Sequence, residues 1–351
     1  MFINSTNNHR LLGGNRGVLV AAEQLLKENK SFALAIVVHA TGSTYRKPGA
    51  LALFADDERT QSVISGGCLE STWHKIASEV LTNNQPQSLL LDTHSDDDLI
   101  FGSGSGCRGS MRLVIIPVHP TNVHPLYTAI SSSQAQHQSL TLSLLLDHPY
   151  CGHGQAVNAS DQWNFGVHSS AVNELRNGEC GEHQIVIGNS PVTAAVFSIC
   201  PAPRLLLIGA SVETPFLIRI GHSLGWHITV IDHRPAQREQ LAQAADVLID
   251  GRLQANSFDA IPSFNAVLIM SHSATTDFEA MRILSARNDP YIGLLGPPAR
   301  RDELLSQLTI EQRTALMPRL HAPMGLRLGG NGPEPLALSI AAELQKFFNA
   351  S

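Results

Sequence analysis

The stretch 204-RLLLIGASVETPFLIRIGHSLGWHITVID-232 decides the fold of the C-terminal part of this chain. An apolar run leads through a short turn into a segment with apolar residues at helical spacing, and a second apolar run with β-branched residues follows. This order predicts a strand, a helix and a second, parallel strand. The second strand ends in an acid, Asp232.

Strand and helix patterns keep alternating downstream, which is typical of a parallel sheet covered by helices on both faces. We therefore predict a Rossmann-type domain over residues 201–351. Its predicted strands are 204–209, 226–232, 246–250, 266–270 and 291–296.

The first turn of this domain is a candidate nucleotide site. Gly209 precedes the predicted helix, where backbone N–H groups and the helix dipole favour a phosphate. Asp232 follows 23 residues later, where a carboxylate accepts from a ribose hydroxyl. However, the turn has one glycine instead of three, and Glu213 adds negative charge where a pyrophosphate would lie. Two interpretations stay open: a nucleotide site, or a scaffold in which Asp232 caps its strand.

Three further loops are expected at the same carboxyl edge of the sheet, where ligands of open α/β folds bind, and the third of them is Pro323-Met324-Gly325-Leu326. The first is Ser271-His272-Ser273, in which His272 is a candidate acid/base group or anion contact, or else only a cap of the strand end. The second is Gly296-Pro297-Pro298, followed by Arg300 and Arg301.

The N-terminal part, residues 1–200, is predicted to be a separate α/β domain with a mixed sheet, and Pro201-Ala202-Pro203 marks the boundary. Residues 150–180 are rich in Gly, Asn and Ser and are predicted to be loops. The predicted helices are 16–29, 69–81 and 124–136, and the predicted strands are 32–40, 50–56, 61–65, 87–93, 111–118, 139–147, 183–188 and 191–200.

Glycine-rich segments make the N-terminal part a candidate anion site. Ser65-Gly66-Gly67-Cys68 precedes a predicted helix, and the helix dipole at such a position lowers the pKa of a thiol. Cys68 is therefore the candidate reactive or metal-binding thiol. Ser43, Arg46 and Lys47 lie in a second such segment, in which the basic residues are candidates to clamp a phosphate. The alternative is ordinary turn glycines, a buried cysteine and solvated basic residues.

A third segment, 101-FGSGSGCRG-109, contains Gly106, Cys107 and Arg108. It lacks the Gly-Lys-Ser/Thr ending of a Walker loop, but its backbone suits an anion nest. The acidic run 96–98 before it is either a cation site or a solvated loop.

Composition excludes several classes of function. Lys and Arg number 24 against 30 Asp and Glu, a net charge of −6 that argues against nucleic-acid or anionic-membrane binding by bulk charge. No apolar run is long enough to span a membrane, and the polar N-terminus, 1-MFINSTNNHR-10, lacks the apolar stretch expected of a signal peptide. The five scattered cysteines, without a CxxC pair, predict a reduced cytoplasmic protein.

Together these segments resemble the xanthine dehydrogenase accessory protein family, XdhC/CoxI. Departures from the family pattern include Val212 in place of a histidine, Arg108 in place of a glycine and Ser271-His272-Ser273 in place of Thr-His-Asp. The motifs that carry the resemblance follow the family's order: 42-GSTYRKPGA-50, 65-SGGCLE-70, 104-GSGCRG-109, 228-ITVIDHRP-235, 291-YIGLLGP-297 and 323-PMGLRLGGNGPEPLALSIAAE-343.

The resemblance implies a maturation chaperone rather than an enzyme. Such a protein binds molybdenum cofactor, assists its sulfuration and delivers it to a xanthine dehydrogenase-type molybdenum hydroxylase; a cysteine desulfurase and a second copy of the chain are further expected partners. Cys68 is then expected to contact molybdenum or its sulfur, because soft sulfur ligands suit such a metal. The residues expected to line the cofactor or nucleotide site are Ser43, Arg46, Gly66, Gly67, Cys68, Gly106, Cys107, Gly209, Asp232, His272 and Gly296.

Two other classes of function remain alternatives. The βαβ unit and Asp232 also suit an NAD(P)-dependent oxidoreductase, against which the incomplete glycine pattern counts. A non-catalytic interaction protein would use the Rossmann half only to recruit a client. Binding of NADH would favour the first alternative, and failure to bind any pterin or nucleotide would favour the second.

Overall fold

The computed structural model describes residues 12–57, 59–64, 70–92, 109–166, 172, 175, 179–253 and 263–349. Contacts between Cα atoms group the chain into two compact units that divide between Ala202 and Pro203.

The first unit begins with a sheet whose pairings are all antiparallel. The strand order is β3-β2-β1-β5-β4. The strands are β1 (Phe32–Gly42), β2 (Leu51–Ala55), β3 (Thr60–Gln61), β4 (Gln87–Asp92) and β5 (Gly109–Val118).

The central strand β1 is buried on both faces, which explains its unbroken apolar sequence. Its even-numbered residues, Phe32 to Val38, share a core with α1 (Gly14–Lys27) and with the second sheet of the unit. Its odd-numbered residues, Ala33 to Val37, pack with Trp73, Ala77 and Val80 of α2 (Glu70–Asn83). The first sheet therefore lies between α2 and the second sheet.

The second sheet of the unit is also antiparallel, so two antiparallel sheets stand where the sequence predicted a mixed one. It has the order β8-β7-β6-β10-β9, and α3 (Pro125–Ala135) precedes it. The prediction of loops over 150–180 was wrong for β7 and β8, whose four residues each are too few to show an apolar period. The strands are β6 (Leu140–Leu145), β7 (Gly154–Val157), β8 (Gln162–Phe165), β9 (Gly181–Ile187) and β10 (Ser190–Ile199).

The second unit has a parallel sheet in the order β13-β12-β11-β14-β15-β16. This is the doubly wound order of the Rossmann fold, and it confirms the predicted fold class. The strands are β11 (Arg204–Ile208), β12 (His227–Asp232), β13 (Val247–Asp250), β14 (Ala266–Ile269), β15 (Ile292–Leu294) and β16 (Leu320–His321).

Helices cover both faces of this sheet, because alternate residues of its central strands enter two separate cores. Leu205 and Leu207 of β11 pack on one face, and Leu206 and Ile208 pack on the other. The helices are α4 (Thr214–Ser223), α5 (Pro235–Leu241), α6 (Ala274–Leu284), α7 (Pro298–Gln307), α8 (Ile310–Leu316) and α9 (Pro333–Phe348). No helix in the described part of the chain is both long and apolar enough to cross a membrane.

Candidate functional site

A cavity of about 310 Å³ opens at the carboxyl edge of the parallel sheet, in the second unit. The ends of four neighbouring strands and the loops that follow them form its wall. This is the position at which open α/β sheets bind ligands. Its lining includes Gly209, Asp232, Arg234, Arg252, Ser271 and Thr275.

Asp232 lies in this wall, but its carboxylate is fully occupied by the chain itself. Oδ2 accepts from the Ala210 amide at 2.6 Å and from Arg234 Nη2 at 2.6 Å. Oδ1 accepts from the Arg234 amide at 2.7 Å and from Arg234 Nε at 3.0 Å. A carboxylate has about four acceptor positions, so a ribose hydroxyl would have to displace one of these donors.

The charge on this carboxylate is stabilised in place. Burial acts to raise the pKa of the Asp232 carboxyl, but the hydrogen bonds from Arg234 and from the Ala210 amide outweigh it, and the pKa lies below its ordinary value. The hydrogen bonds to Asp232 in turn raise the pKa of Arg234. The pair is therefore ionised at neutral pH and contributes little net charge to the cavity.

The turn after β11 brings two strands into close approach. Gly209 has a φ of +83°, and a Cβ atom there would lie 2.5 Å from the Cα of Ser271. Glycine is therefore required by both its backbone conformation and the neighbouring strand end.

Glu213 and His272 lie close together beside that turn. Glu213 is buried at the start of α4, and its Oε2 atom makes no hydrogen bond with the described residues. His272 is exposed and has a positive φ of 55°, and its Nε2 atom lies 4.0 Å from Glu213 Oε2. The position at which a Rossmann domain holds pyrophosphate thus carries a buried acid.

The arginines after Gly296 are engaged in structural contacts. Arg300 donates to the buried carboxylate of Asp277 through Nε at 3.1 Å and Nη2 at 2.6 Å, and Ser271 Oγ also donates to Asp277. Arg301 donates to the carbonyl of Ala322 at 3.0 Å. These contacts position the loop after β14 against α7.

In the first unit, two of the glycine-rich motifs adjoin at the end of the first sheet where β1 finishes and β5 begins. Gly42, at the end of β1, pairs with Gly109, at the start of β5. A Cβ atom on Gly109 would lie 2.6 Å from the carbonyl oxygen of Ser43 and 2.7 Å from that of Thr41, so only glycine fits there. Ser43, at the start of the segment that contains Arg46, and Gly109 therefore lie side by side at this end of the sheet.

Arg46 lies at this end of the sheet and is half-buried. Its Nη2 atom donates to the carbonyl of Leu51 at 3.4 Å, and burial lowers the pKa of its guanidinium. Asn15 of α1 holds the same segment through the Gly49 carbonyl at 2.8 Å and the Leu51 amide at 3.0 Å.

Five of the predicted site residues lie outside the described residues: Gly66, Gly67, Cys68, Gly106 and Cys107. The flanking chain leads towards the same end, since β3 pairs with β2 and runs towards the end of the sheet at which β1 finishes. Among the described residues no group of His, Cys, Asp or Glu is arranged to hold a metal ion. The described cysteines Cys151, Cys180 and Cys200 are free thiols.

Sequence reasoning did not single out Arg234 or Arg252, both of which line the cavity. The signal was present, because each follows the end of a predicted strand of a parallel sheet by two residues. Residues at that position collect at the ligand-binding edge.

The chain is therefore an α/β protein with two units. One is a Rossmann-type unit with a cavity at the carboxyl edge of its sheet, and the other has two antiparallel sheets. The XdhC Rossmann domain family matches residues 205–344, and the XdhC and CoxI family matches residues 25–92. The chain belongs to the XdhC/CoxI family.

Two individual proteins are similar to nearly the whole chain, and a third is similar to part of it. A Bacillus subtilis protein, described as a probable subunit of xanthine dehydrogenase, is 29% identical over 333 residues, which cover 92% of this chain and 94% of that protein. A crystal structure described as a xanthine dehydrogenase from Bacillus halodurans has a TM-score of 0.75 at 26% identity and covers 95% of this chain and 96% of that one. An uncharacterized Escherichia coli protein, YqeB, is 32% identical over 158 residues, 42% of this chain and 28% of that protein.

Proposed function

We propose that this chain is an accessory protein of a xanthine dehydrogenase-type molybdenum hydroxylase. It binds molybdenum cofactor in the cytoplasm, assists its sulfuration and helps to insert it into the hydroxylase. Family membership and the near full-length similarity to a probable subunit of xanthine dehydrogenase support this role.

The observation that carries the proposal is the pairing of Gly42 with Gly109 at one end of the first sheet. Because of this pairing, the motifs at 42–50 and 104–109 begin and end next to each other, and β3 directs the chain towards the motif at 65–70. Glycine-rich backbone supplies N–H donors for the phosphate of the cofactor.

Each site residue has a chemical role in this proposal. Arg46 donates to the cofactor phosphate, and with the described residues its half-buried guanidinium makes only one long hydrogen bond, to the carbonyl of Leu51. Ser43 and the amides of Gly66, Gly67 and Gly106 surround the phosphate. The Cys68 thiolate contacts the molybdenum or its sulfur, and Cys107 is the second thiol of the site. The proposed nucleotide site of the second unit is separate, and Gly209, Asp232, His272 and Gly296 are its residues at the carboxyl edge of the parallel sheet.

The thiol role is tested by Cys68→Ser, with Cys180→Ser as the matched control, because Cys180 is an exposed free thiol. Both variants are purified from cells that make the cofactor, and molybdopterin content and activation of the client hydroxylase are measured. We expect Cys68→Ser to lose both and Cys180→Ser to keep both. Unchanged cofactor content and client activity in Cys68→Ser would exclude a thiol role.

Partners are tested separately from the cofactor. We expect the hydroxylase and a cysteine desulfurase to co-purify with this chain, and we expect sedimentation to give a homodimer.

The chain taken alone is proposed to be a chaperone rather than an oxidoreductase. NADH oxidation coupled to a small-molecule substrate by the purified chain would contradict this.

A further inference from the structure

The cavity of the second unit occupies the nucleoside end of a Rossmann site. Its wall includes Ile208 and Gly209 after β11, Ile231 and Asp232 of β12, and Gly251 after β13. Its volume of about 310 Å³ is at the lower end of the range of roughly 300–1,000 Å³ for ligand pockets. A ligand of mononucleotide size fits such a cavity better than an extended dinucleotide.

The described residues that line the cavity carry a net positive charge. Among the described residues that line it, Asp232 is the only acid, and Arg234 neutralises it. Arg252 also lines the cavity and makes no hydrogen bond or ion pair with the described residues. Among the described lining residues, Arg252 is therefore an arginine without a counter-ion.

Arg234 itself keeps donors for a ligand. Its Nε and Nη2 atoms are used by Asp232 and by the carbonyl of Ala210, which orients the guanidinium plane. The Nη1 atom makes no hydrogen bond with the described residues, and 38% of the side chain is exposed. A planar guanidinium held in this way is preorganised for a phosphate oxygen.

Hydroxyl groups complete the wall on the side of β14. Ser273, Thr275 and Thr276 line the cavity at the start of α6, where Ser273 caps the helix. The first amides of a helix have no partner within it, so they add donors to these hydroxyls. Arginine, hydroxyl and amide donors together suit a phosphate with several acceptor oxygens.

The other end of the nucleotide site is unfavourable for phosphate. Glu213 is buried at the start of α4, and its Oε2 atom, which makes no hydrogen bond with the described residues, lies 4.0 Å from His272 Nε2. A pyrophosphate at the Gly209 turn would meet this carboxylate. In a site for NAD, a free carboxylate accepts from the ribose and the glycine turn binds the phosphates. Here the buried carboxylate of Glu213 lies at the turn, and the arginines lie at the ribose end.

We propose that this cavity binds a mononucleotide whose ribose carries a phosphate monoester at the 2′ or 3′ position, with Arg252 and the Nη1 atom of Arg234 as its cationic contacts. An arginine beside the end of the second strand is how Rossmann domains accommodate a ribose 2′-phosphate. The proposal deepens the nucleotide-binding part of the proposed function and rests on that part alone.

The test is calorimetric titration of the full chain with four probes: 2′-AMP, 3′-AMP, 5′-AMP and adenosine. They share a base and a ribose and differ in the presence and position of the phosphate. We expect 2′-AMP or 3′-AMP to bind about tenfold or more tighter than 5′-AMP and adenosine, because hydrogen bonds to charged groups contribute that much.

Variants assign the preference to the cavity. Arg252→Gln is expected to remove most of the preference, and Arg252→Lys to keep part of it, because lysine retains the charge without the planar fork. Arg282→Gln is the control, since Arg282 is exposed on α6 and pairs with Glu279. It is expected to bind like the parent.

Three outcomes would overturn the proposal: equal affinity for all four probes, tightest binding of 5′-AMP, or an unchanged preference in Arg252→Gln. These titrations contain no pterin and no client enzyme. Failure here would therefore leave cofactor delivery intact, and loss of cofactor delivery in Cys68→Ser would leave this preference unchanged.

Discussion

The guanidinium of Arg234 holds the carboxylate of Asp232, two residues before it in the chain, through Nε at 3.0 Å and Nη2 at 2.6 Å. The same guanidinium donates to the carbonyl of Ala210, and the same carboxylate accepts from the amide of Ala210. The end of β12 and the turn after β11 are thus joined through one ion pair. Asp232, which was predicted from the sequence to accept from a ribose hydroxyl, is thus paired with Arg234.

Removing the guanidinium with Arg234→Ala is expected to destabilise the second unit by about 1–2 kcal/mol. The loss is smaller than the roughly 3–5 kcal/mol for a fully buried pair, because Arg234 is 38% exposed and Asp232 keeps two backbone donors. Urea unfolding measures it. The control is Arg282→Ala, which breaks an exposed ion pair on α6 and is expected to change the free energy of unfolding little, because solvent screens such a pair. Equal losses in the two variants would contradict the structural role of Arg234.

Gly209→Ala is expected to be much more destabilising than Gly329→Ala. The two glycines have nearly the same φ, +83° and +81°, so the conformational penalty of about 1–2 kcal/mol is shared. Only at Gly209 would the added Cβ meet backbone, 2.5 Å from Ser271 Cα, whereas no atom lies within 4 Å at Gly329. We expect a further loss of about 2 kcal/mol in urea unfolding of Gly209→Ala. Similar free energies of unfolding for the two variants would show that the strand ends separate at little cost.

His124 makes the first unit sensitive to mild acid. It caps α3, and its Nδ1 atom accepts from the Leu126 amide at 3.2 Å. Burial, together with the charge of His153, lowers the pKa of His124 to about 4. The unfolded chain has an ordinary histidine pKa of about 6.5, so it binds the proton more readily. The stability contribution is complete above about pH 6.5 and is lost as the pH falls towards 4.

The expected loss at His124 is about 2 kcal/mol between pH 7 and pH 5, from the two pKa values. His124→Asn removes the titration and keeps a side chain suited to a helix N-cap. Urea unfolding at the two pH values should therefore show a smaller difference for this variant than for the parent. The same pH dependence in both proteins would assign the acid sensitivity to other groups.

Arg300→Met is expected to destabilise the second unit by about 3 kcal/mol, because it leaves the buried carboxylate of Asp277 without its cation. Asp277→Asn in the same chain should recover part of this loss, since the neutral amide is less costly to bury. Urea unfolding of the two single variants and the double variant measures the coupling. Strictly additive losses would mean that the pair, 2.6 Å apart, contributes no coupling energy.

Five of the six strands of the second unit were predictable from the sequence, because each is a short apolar run in an alternating strand and helix pattern; β16 was missed, because its two residues form no such run. In the first unit, β1 was equally clear, but β7 and β8 were not, since four residues cannot establish a period. In the first unit, whether neighbouring strands pair parallel or antiparallel could also not be predicted from the sequence, because antiparallel and mixed sheets use the same kinds of strand residues.

The amino-acid sequence alone determined the doubly wound parallel sheet, the family and the edge of the sheet at which a ligand site would lie, since apolar period and motif order are local properties of the chain. Only the tertiary structure decided that Asp232 is occupied by Arg234, that Glu213 is buried beside the glycine turn and that Arg252 lines the cavity without a partner among the described residues. These relations join the ends of different strands, and hydrogen bonding between them depends on distances that no local pattern encodes.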